Sequence, residues 1–460
     1  MAHSARLPPG LASLVSSGGG LVSTIVIGGG LAGLTAGWLL AERGEDVLVL
    51  EGSAQVGGKL RLASVAGVPA DVGAEAMLNR RPEGVEVARA LGLPVEHPAR
   101  SGSGLVVGGR VVPLPRTLMG VPFDVDSLRG VVADLDRIAA ERDLPASELG
   151  ADRAVGDLLA ERFGDDLVDL LVEPLLGGVY AGHSRELSIR ATTPQLAVLA
   201  DRGSLLDAAA ALPTSDAPVF AGVTGGMGRL PEALAARVEH RTDAVVRELR
   251  RDGDGWTLTL GATRSPETLH ADRVVVAVPA APAARLLADV APVAAQHLAT
   301  IESASMAVVT HAFRVEDLGD FAAVDVTGFL VPPREGRAIK AATYSFAKWA
   351  WVREAGDGLL LLRTSTGRHR EERTLQVDDA TLVSESLREL AALAGITAPP
   401  VDSHVQRWGG GLPQYAVGHL DRVAAIRADL PPGLTVCGAA YDGVGIPAVI
   451  ASARRATMGE

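Results

Sequence analysis

The sequence predicts a protein of mixed class, α/β in one part and α+β in another, with more than one domain. The 460 residues are too many for a single compact core. Residues 24–51, TIVIGGGLAGLTAGWLLAERGEDVLVLE, join a buried strand, a glycine turn, a helix and a second strand. Residues 155–176, VGDLLAERFGDDLVDLLVEPLL, show instead the spacing of amphipathic helices.

The βαβ unit at 24–51 carries a phosphate-binding pattern. Gly28, Gly30 and Gly33 form GxGxxG, in which the glycines permit a tight turn, close approach of a pyrophosphate, and helix–strand packing, respectively. Glu51 ends the second strand, where an acid bonds ribose hydroxyls. The unit predicts a Rossmann-like dinucleotide-binding domain. Glu51 would repel a 2′-phosphate, which disfavours NADP, but this fingerprint alone does not separate NAD from FAD.

Composition excludes several other functions. The formal charge of −12 argues against nucleic acid as the main partner, because that role needs a basic face. Cys437 is the single cysteine, so no intramolecular disulfide can form and a reducing, cytoplasmic location is expected. No run of about 20 apolar residues predicts a transmembrane span, although peripheral membrane contact stays open. Residues 1–20 are predicted to be a disordered tail.

The segments after Glu51 resemble a known superfamily. VGGKLR (56–61) and DVGAEAM (71–77) follow the βαβ unit as they do in the amine oxidase and protoporphyrinogen oxidase superfamily of FAD enzymes. Near the other end, LTVCG (434–438) and VGIPAVIASARRA (444–456) are similar to that superfamily's returning strand and flavin-facing helix. The resemblance implies non-covalent FAD, with the helix dipole stabilising negative charge on the reduced flavin.

The middle of the chain completes the resemblance. GVTGGMGRLPEALAARV (222–238), HRTDAVVREL (240–249) and RVVVAVPAAPAARLL (273–287) are similar to the remaining elements of the FAD domain. The implied cofactor-binding residues are Gly28, Gly29, Gly30, Leu31, Ala32, Gly33, Glu51, Gly58, Lys59, Gly73, Ala74, Glu75, Ala76, Val246, Ala439, Val444, Gly445 and Ile446.

One branch of the superfamily fits best. Residues 111–124, 172–196 and 407–423 resemble protoporphyrinogen oxidases, and Gly73-Ala74-Glu75 resembles the Gram-positive and actinobacterial enzymes that oxidise coproporphyrinogen III. The resemblance implies haem biosynthesis, with hydride passing from the porphyrinogen to flavin N5 and oxygen reoxidising the flavin to give peroxide. A ferrochelatase is an expected partner. The alternatives are a protoporphyrinogen IX oxidase, a related amine or polyene oxidoreductase and, remotely, a non-enzymatic chaperone similar to GDP-dissociation inhibitors.

The resemblance also implies a division into three regions. A discontinuous FAD-binding domain is predicted at 21–85, 221–292 and 406–458. A mixed β-sheet domain for substrate is predicted at 86–112 and 293–405. A helical region takes 113–220.

The substrate's propionates would need cations. Candidates are Arg61, Arg80, Lys340, Lys348 and Arg407, although any one of them can equally be a surface charge. Trp408 and Tyr415 can line a pocket for a flat macrocycle or pack in the core. The sequence shows no catalytic triad and no metal-ligand cluster, so no catalytic side chain is predicted and the flavin would carry the chemistry.

Overall fold

The computed structural model describes residues 21–147, 149–213 and 216–459, so the predicted tail at 1–20 lies outside the described residues. The strands in that part of the chain are β1 Leu21–Ile27, β2 Val47–Leu50, β3 Leu62–Val65, β4 Val68–Asp71, β5 Met77–Leu78, β6 Val95–Glu96, β7 Gly102–Val107, β8 Arg110–Pro113, β9 Thr117–Leu118, β10 Val121–Pro122, β11 Phe220–Val223, β12 Glu239–Arg241, β13 Val246–Asp252, β14 Gly255–Leu260, β15 Glu267–Val276, β16 Ser303–Arg314, β17 Val326–Leu330, β18 Ala341–Thr343, β19 Leu359–Thr366, β20 Asp402–Pro413 and β21 Leu434–Val436.

The helices lie between these strands, and α3 to α9 follow one another without an intervening strand. They are α1 Leu31–Ala41, α2 Pro82–Ala90, α3 Leu135–Ala140, α4 Val155–Phe163, α5 Asp165–Leu167, α6 Glu173–Tyr180, α7 Ile189–Thr192, α8 Pro194–Ala200, α9 Leu205–Ala210, α10 Arg229–Ala235, α11 Ala280–Leu287, α12 Pro292–Ala299, α13 Ser345–Lys348, α14 Ala350–Gly356, α15 Asp379–Ala394, α16 His419–Ala428 and α17 Ile446–Met458.

The first sheet has the order β12-β2-β1-β15-β14-β13, with β21 beside β15. Strands β12, β2, β1, β15 and β21 run parallel, whereas β13 and β14 add an antiparallel hairpin. The central strands are continuous apolar runs because helices cover both faces. Helices α1, α10 and α17 pack on one face, and α11, α12 and α16 on the other. The carboxyl ends of β1, β2, β15 and β21 therefore meet at one edge.

The second sheet has the order β20-β16-β19-β18-β17-β7-β8. Helix α15 covers one face, where Leu382 and Leu390 are buried. On the opposite face of β18 and β19, the side chains of Ala341, Arg363 and Ser365 are half-buried. The alternating residues Ala342 and Thr364, which point to the other face, are buried. The face of Ala341, Arg363 and Ser365 is called the open face below.

The helical part of the chain, α3 to α9, encloses its own apolar core around Leu158, Leu171 and Leu206. Its longest element runs from α5 to α6 through a π-helical segment, Val168–Val172. No helix among the described residues combines the length and hydrophobicity needed to cross a membrane.

Some of the predicted domain boundaries divide elements that the structure keeps together. The boundary after residue 292 separates α12, Pro292–Ala299, from the first sheet, on which it packs. The boundary at residue 406 lies inside β20, which pairs with β16 from Asp402 to Pro413. Arg407 and Trp408 therefore belong to the second sheet and not to the flavin-side segment in which they were predicted. Hydrophobic patterning could not reveal this, because strand pairing over about 100 residues decides it.

A buried ion pair stabilises the helical part. The guanidinium of Arg162 donates to Glu141 at 2.5 Å, and both side chains are almost fully buried. Glu141 also accepts from the backbone N–H groups of Leu205 and Leu206 at the start of α9. Arg162→Met should lower the free energy of unfolding by about 3–5 kcal/mol, because it leaves a buried carboxylate without its cation.

Urea denaturation measures this loss, and Arg129→Met is the matched control. Arg129 pairs with Asp126 at 2.7 Å, but both side chains are mostly exposed, so its loss should cost about 0.5 kcal/mol or less. Equal effects of the two substitutions would contradict the role assigned to the Arg162–Glu141 pair.

Candidate active site

The glycine loop between β1 and α1 is shaped by contacts that exclude larger side chains. Gly28 has a φ of 114°, and a Cβ there would lie 2.7 Å from the carbonyl oxygen of Ala277. A Cβ on Gly33 would overlap the carbonyl oxygen of Gly28. At Gly30, by contrast, the nearest atom to an added Cβ is the Cα of Gly58, 3.9 Å away. The loop is therefore tight at Gly28 and Gly33, and open at Gly30, directly before the N-terminus of α1.

Glu51 ties this loop to the end of β2. Its carboxylate accepts from the N–H of Gly29 at 2.7 Å and from the N–H of Ser53 at 2.8 Å. Each oxygen can accept a further bond, so a ribose hydroxyl could still bind there. Val246 begins β13 close by, since the N–H of Ala244 donates to the carbonyl of Glu51 at 2.8 Å.

The segments 57–59 and 73–76 pack against the glycine loop. Gly57 donates its N–H to the carbonyl of Gly29 at 2.8 Å and forms a β-bridge with Gly30. The carbonyl of Lys59 accepts from the N–H of Ala74 at 3.2 Å, and a Cβ on Gly73 would overlap that carbonyl. These predicted cofactor residues thus lie along one groove, although they are far apart in sequence.

The returning segment reaches the same groove. The N–H of Cys437 donates to the carbonyl of Val276 at 3.1 Å. A Cβ on Gly438 would lie 3.5 Å from the Cβ of Ala32, at the start of α1. Gly445 is exposed and caps α17. Two helix N-termini, of α1 and α17, therefore stand at the edge of the first sheet, where they favour negatively charged groups.

Side chains behind the returning loop fix its path. The hydroxyl of Tyr415 donates to the carbonyl of Ala439 at 2.6 Å and accepts from the N–H of Gly443 at 2.7 Å. Asp442 accepts from Arg427 at 2.6 Å and pairs with Arg455 at 2.7 Å. Burial would raise the pKa of Asp442, but these bonds outweigh it and lower the pKa. The sequence reading missed Asp442, although its place between Tyr441 and Gly443 in the returning motif could have revealed it.

An ion cluster joins the 73–76 segment to the open face of the second sheet. The carboxylate of Glu75 accepts from Lys348 Nζ at 2.5 Å and lies 3.2 Å from the Arg363 guanidinium. Arg363 also donates to the carbonyl oxygens of Asp71 and Gly73. Burial alone would raise the pKa of Glu75, but Arg363 and Lys348 lower it to about 2. Glu75 is therefore ionised at neutral pH. Arg363 was missed because nothing near it in sequence marks its partner.

The other substrate candidates have different surroundings. Arg61 lies over the Trp408 ring, 5.4 Å from its centroid, and the Trp408 indole donates to the carbonyl of Val72 at 3.1 Å. Arg80 is exposed. Arg407 points away from the groove, since Asp379 and two backbone carbonyls hold its guanidinium.

Two candidates are buried. Tyr415 is 1% exposed, so it serves the returning loop and has no surface left to line a macrocycle pocket. Lys340 is 4% exposed, and its Nζ has no hydrogen-bond partner among the described residues. Burial, with a smaller contribution from the nearby Arg368, lowers the pKa of Lys340 to about 7.

Comparison with known proteins agrees with this arrangement. The model of a family described as flavin containing amine oxidoreductase matches residues 31–458. A protein of Mycobacterium tuberculosis named coproporphyrinogen III oxidase is 39% identical over 448 residues, which cover 94% of this chain and 96% of that protein. A protoporphyrinogen oxidase of Bos taurus is 29% identical over 488 residues, with 94% and 97% covered.

A solved structure has the same fold. The crystal structure described as a protoporphyrinogen oxidase from Exiguobacterium sp. matches with a TM-score of 0.84 at 28% identity. The match covers 96% of this chain and 99% of that one.

The space at Gly30 can be tested directly. Gly30→Ala should leave the fold intact, because an added Cβ would meet only the Cα of Gly58, at an unstrained 3.9 Å, and the backbone φ of −77° suits alanine. The Cβ would occupy the groove itself, so flavin affinity should fall about tenfold or more, which corresponds to about 1.4 kcal/mol or more.

The measurement is flavin titration of the flavin-free protein, together with its thermal midpoint. Gly33→Ala is the contrasting variant, because its Cβ overlaps the carbonyl of Gly28 and should lower the thermal midpoint itself. Wild-type flavin affinity in Gly30→Ala would rule out the groove at Gly30.

Lys340→Met should stabilise the protein at neutral pH by about 1–3 kcal/mol, because a buried ammonium without a partner is costly. The pKa of Lys340 is about 7 in the folded protein, and the ordinary pKa of a lysine is 10.5. Between these values the unfolded chain binds more protons, so wild-type stability should rise with pH across that window. The variant should lack this rise in urea denaturation series. A loss of stability in Lys340→Met at pH 7 would show that the ammonium has a stabilising partner.

Proposed function

Because this chain belongs to the family of flavin-containing amine oxidoreductases, we propose that it oxidises coproporphyrinogen III to coproporphyrin III, as a step in haem biosynthesis. The observation that carries the proposal is the 39% identity to coproporphyrinogen III oxidases over 94% of the chain. Conversion of protoporphyrinogen IX is the second candidate, supported by the Bos taurus relative.

We propose that the flavin is FAD, bound without a covalent link. The residues that would hold the dinucleotide are Glu51 and Val246 for the adenosine, the glycine loop for the pyrophosphate, and 73–76 with 439–446 for the flavin ring. A Cβ on Gly30 would come no closer than 3.9 Å to any described atom, and this space supports a pyrophosphate at that position. Cys437 is fully buried and its burial raises the pKa of the thiol to about 12, which supports a non-covalent cofactor because a neutral thiol is a weak nucleophile.

When bound, FAD would supply a hydride acceptor for three successive two-electron oxidations of the porphyrinogen, each with loss of one proton, and three molecules of oxygen would be reduced to three of peroxide. The protein would supply binding and electrostatics. The N-terminus of α17, where Gly445 is the N-cap residue, would favour negative charge on the reduced flavin ring. The ionised Glu75, held by Lys348 and Arg363, would keep the 73–76 segment in place. A side-chain base is not required by this scheme, because loss of pyrrole protons is driven by formation of the aromatic product.

Other oxidations are less well supported. Amine oxidases frame the flavin with aromatic side chains, and this chain has only 3% aromatic residues. A chaperone without flavin would not need the returning motif at 438–446. We propose a ferrochelatase as the partner that receives the porphyrin, on the strength of the reaction alone.

Freshly reduced coproporphyrinogen III and protoporphyrinogen IX, incubated in air with the purified protein, provide the test. Porphyrin fluorescence should rise fastest with coproporphyrinogen III and exceed the air-oxidation blank, with peroxide formed alongside. The Gly30→Ala variant is the control and should show a rate reduced in proportion to its flavin content. Preference for protoporphyrinogen IX would favour the second candidate, and turnover of amines without turnover of either porphyrinogen would overturn the proposal.

A further inference from the structure

The Glu75 cluster carries more positive than negative charge. Two cations, Lys348 and Arg363, share the Glu75 carboxylate, and burial raises the pKa of the neighbouring Asp71 to about 7. The cluster therefore has a surplus of one positive charge when Asp71 is protonated. The side chains of Glu75, Arg363 and Lys348 are only 7%, 15% and 19% exposed, respectively. A charge that is screened so little by solvent attracts an anion more strongly than an exposed one does.

The ammonium of Lys348 also has hydrogen-bond donors that are not used within the cluster. An ammonium has three N–H donors, and among the residues that the structure describes Lys348 has one hydrogen-bond acceptor, Glu75. The rings of Phe220 and Trp349 lie near its Nζ, 5.9 Å and 5.7 Å from their centroids, but they accept no conventional hydrogen bond. Lys348 therefore has donors to offer a further acceptor.

The position of the cluster suits a ligand of the groove. Arg363 stands on the open face of the second sheet, in line with the half-buried Ser365. Ala74, next to Glu75, is exposed on the flavin side. The cluster thus lies where the 73–76 segment meets the open face, with backbone of the predicted flavin site on one side and the second sheet on the other.

We propose that Lys348, supported by Arg363, binds one carboxylate side chain of the substrate. This inference rests on the proposed function, because the propionates of a porphyrinogen are the carboxylates in question. Glu75 has an opposing effect: it holds the two cations in place, and its charge lowers their attraction for the incoming carboxylate. The substrate's carboxylate would accept from the free Lys348 donors while Glu75 keeps its own bonds.

A purely structural role predicts a different pattern. If the cluster only fastened the 73–76 segment, Lys348→Met and Glu75→Gln would both break the same contact and impair the enzyme in the same direction. If the cluster binds a carboxylate, removing the cation and removing the anion should change substrate affinity in opposite directions. Both variants are expected to lower the thermal midpoint, so stability cannot distinguish the two roles but KM can.

The experiment measures kcat and KM for coproporphyrinogen III in the flavin-loaded variants. Lys348→Met should raise KM about tenfold with little change in kcat, Lys348→Arg should restore it, and Glu75→Gln should give a KM at or below the wild-type value. The Lys348→Met effect should shrink as salt is added. Arg129→Gln is the charge-matched control, because Arg129 lies in an exposed pair with Asp126, and its KM should not change.

Titration with the product, coproporphyrin III, repeats the comparison without turnover. Dissociation constants should follow the KM values, weaker in Lys348→Met and not weaker in Glu75→Gln. If wild type oxidises the porphyrinogen but both variants raise KM, or neither changes it, the carboxylate site is overturned and the proposed function stands. If wild type oxidises no porphyrinogen, the proposed function fails. Failure of wild type to bind coproporphyrin III would overturn the carboxylate site as well.

Discussion

The parallel pairing of β21 with β15 is the constraint on which the site depends. Val276 and Val436 are paired in register, and this pairing brings the chain's last elements to the edge already occupied by the glycine loop. Because β1 lies on the other side of β15, the N-termini of α1 and α17 are brought to one groove. A strand only three residues long, Leu434–Val436, thereby closes a site between segments more than 400 residues apart.

So short a strand cannot hold the returning loop alone, and buried polar side chains complete the attachment. Tyr415 bonds the loop at two backbone positions, Ala439 and Gly443. Ser452 accepts from the N–H of Gly438 at 3.0 Å and donates to Asp442 at 2.5 Å, which couples the loop to α17 itself. Each of these groups is satisfied only in this arrangement, so the loop has one stable path and the groove one shape.

Local sequence patterns were enough to predict the βαβ unit, whereas the partners of the charged side chains depend on long-range strand pairing. The βαβ unit at 24–51 is readable because its strand, glycine and helix signals are contiguous, and family-model and relative matches agree with the flavin-type fold. The carboxylates that pair with Arg363 and Arg407 could not be predicted from the sequence. Arg363 meets Glu75 across 288 residues, and Arg407 meets Asp379 only because β20 runs beside α15. Glu51 was predicted for the ribose, whereas its bond to Gly29 emerges only when β2 lies beside the loop.

The buried Lys340 and the half-buried Lys348 differ in whether a carboxylate lies beside the ammonium. Within the described part of the chain Lys340 Nζ has no partner, and burial lowers its pKa to about 7, so near neutral pH it loses much of the charge that would attract an anion. Lys348, by contrast, lies 2.5 Å from the ionised Glu75. Lys348 and Arg363 share this single carboxylate, so the cluster can still attract a propionate. With Glu75 and only one of the two cations, the positive charge would be neutralised and the propionate would not be attracted.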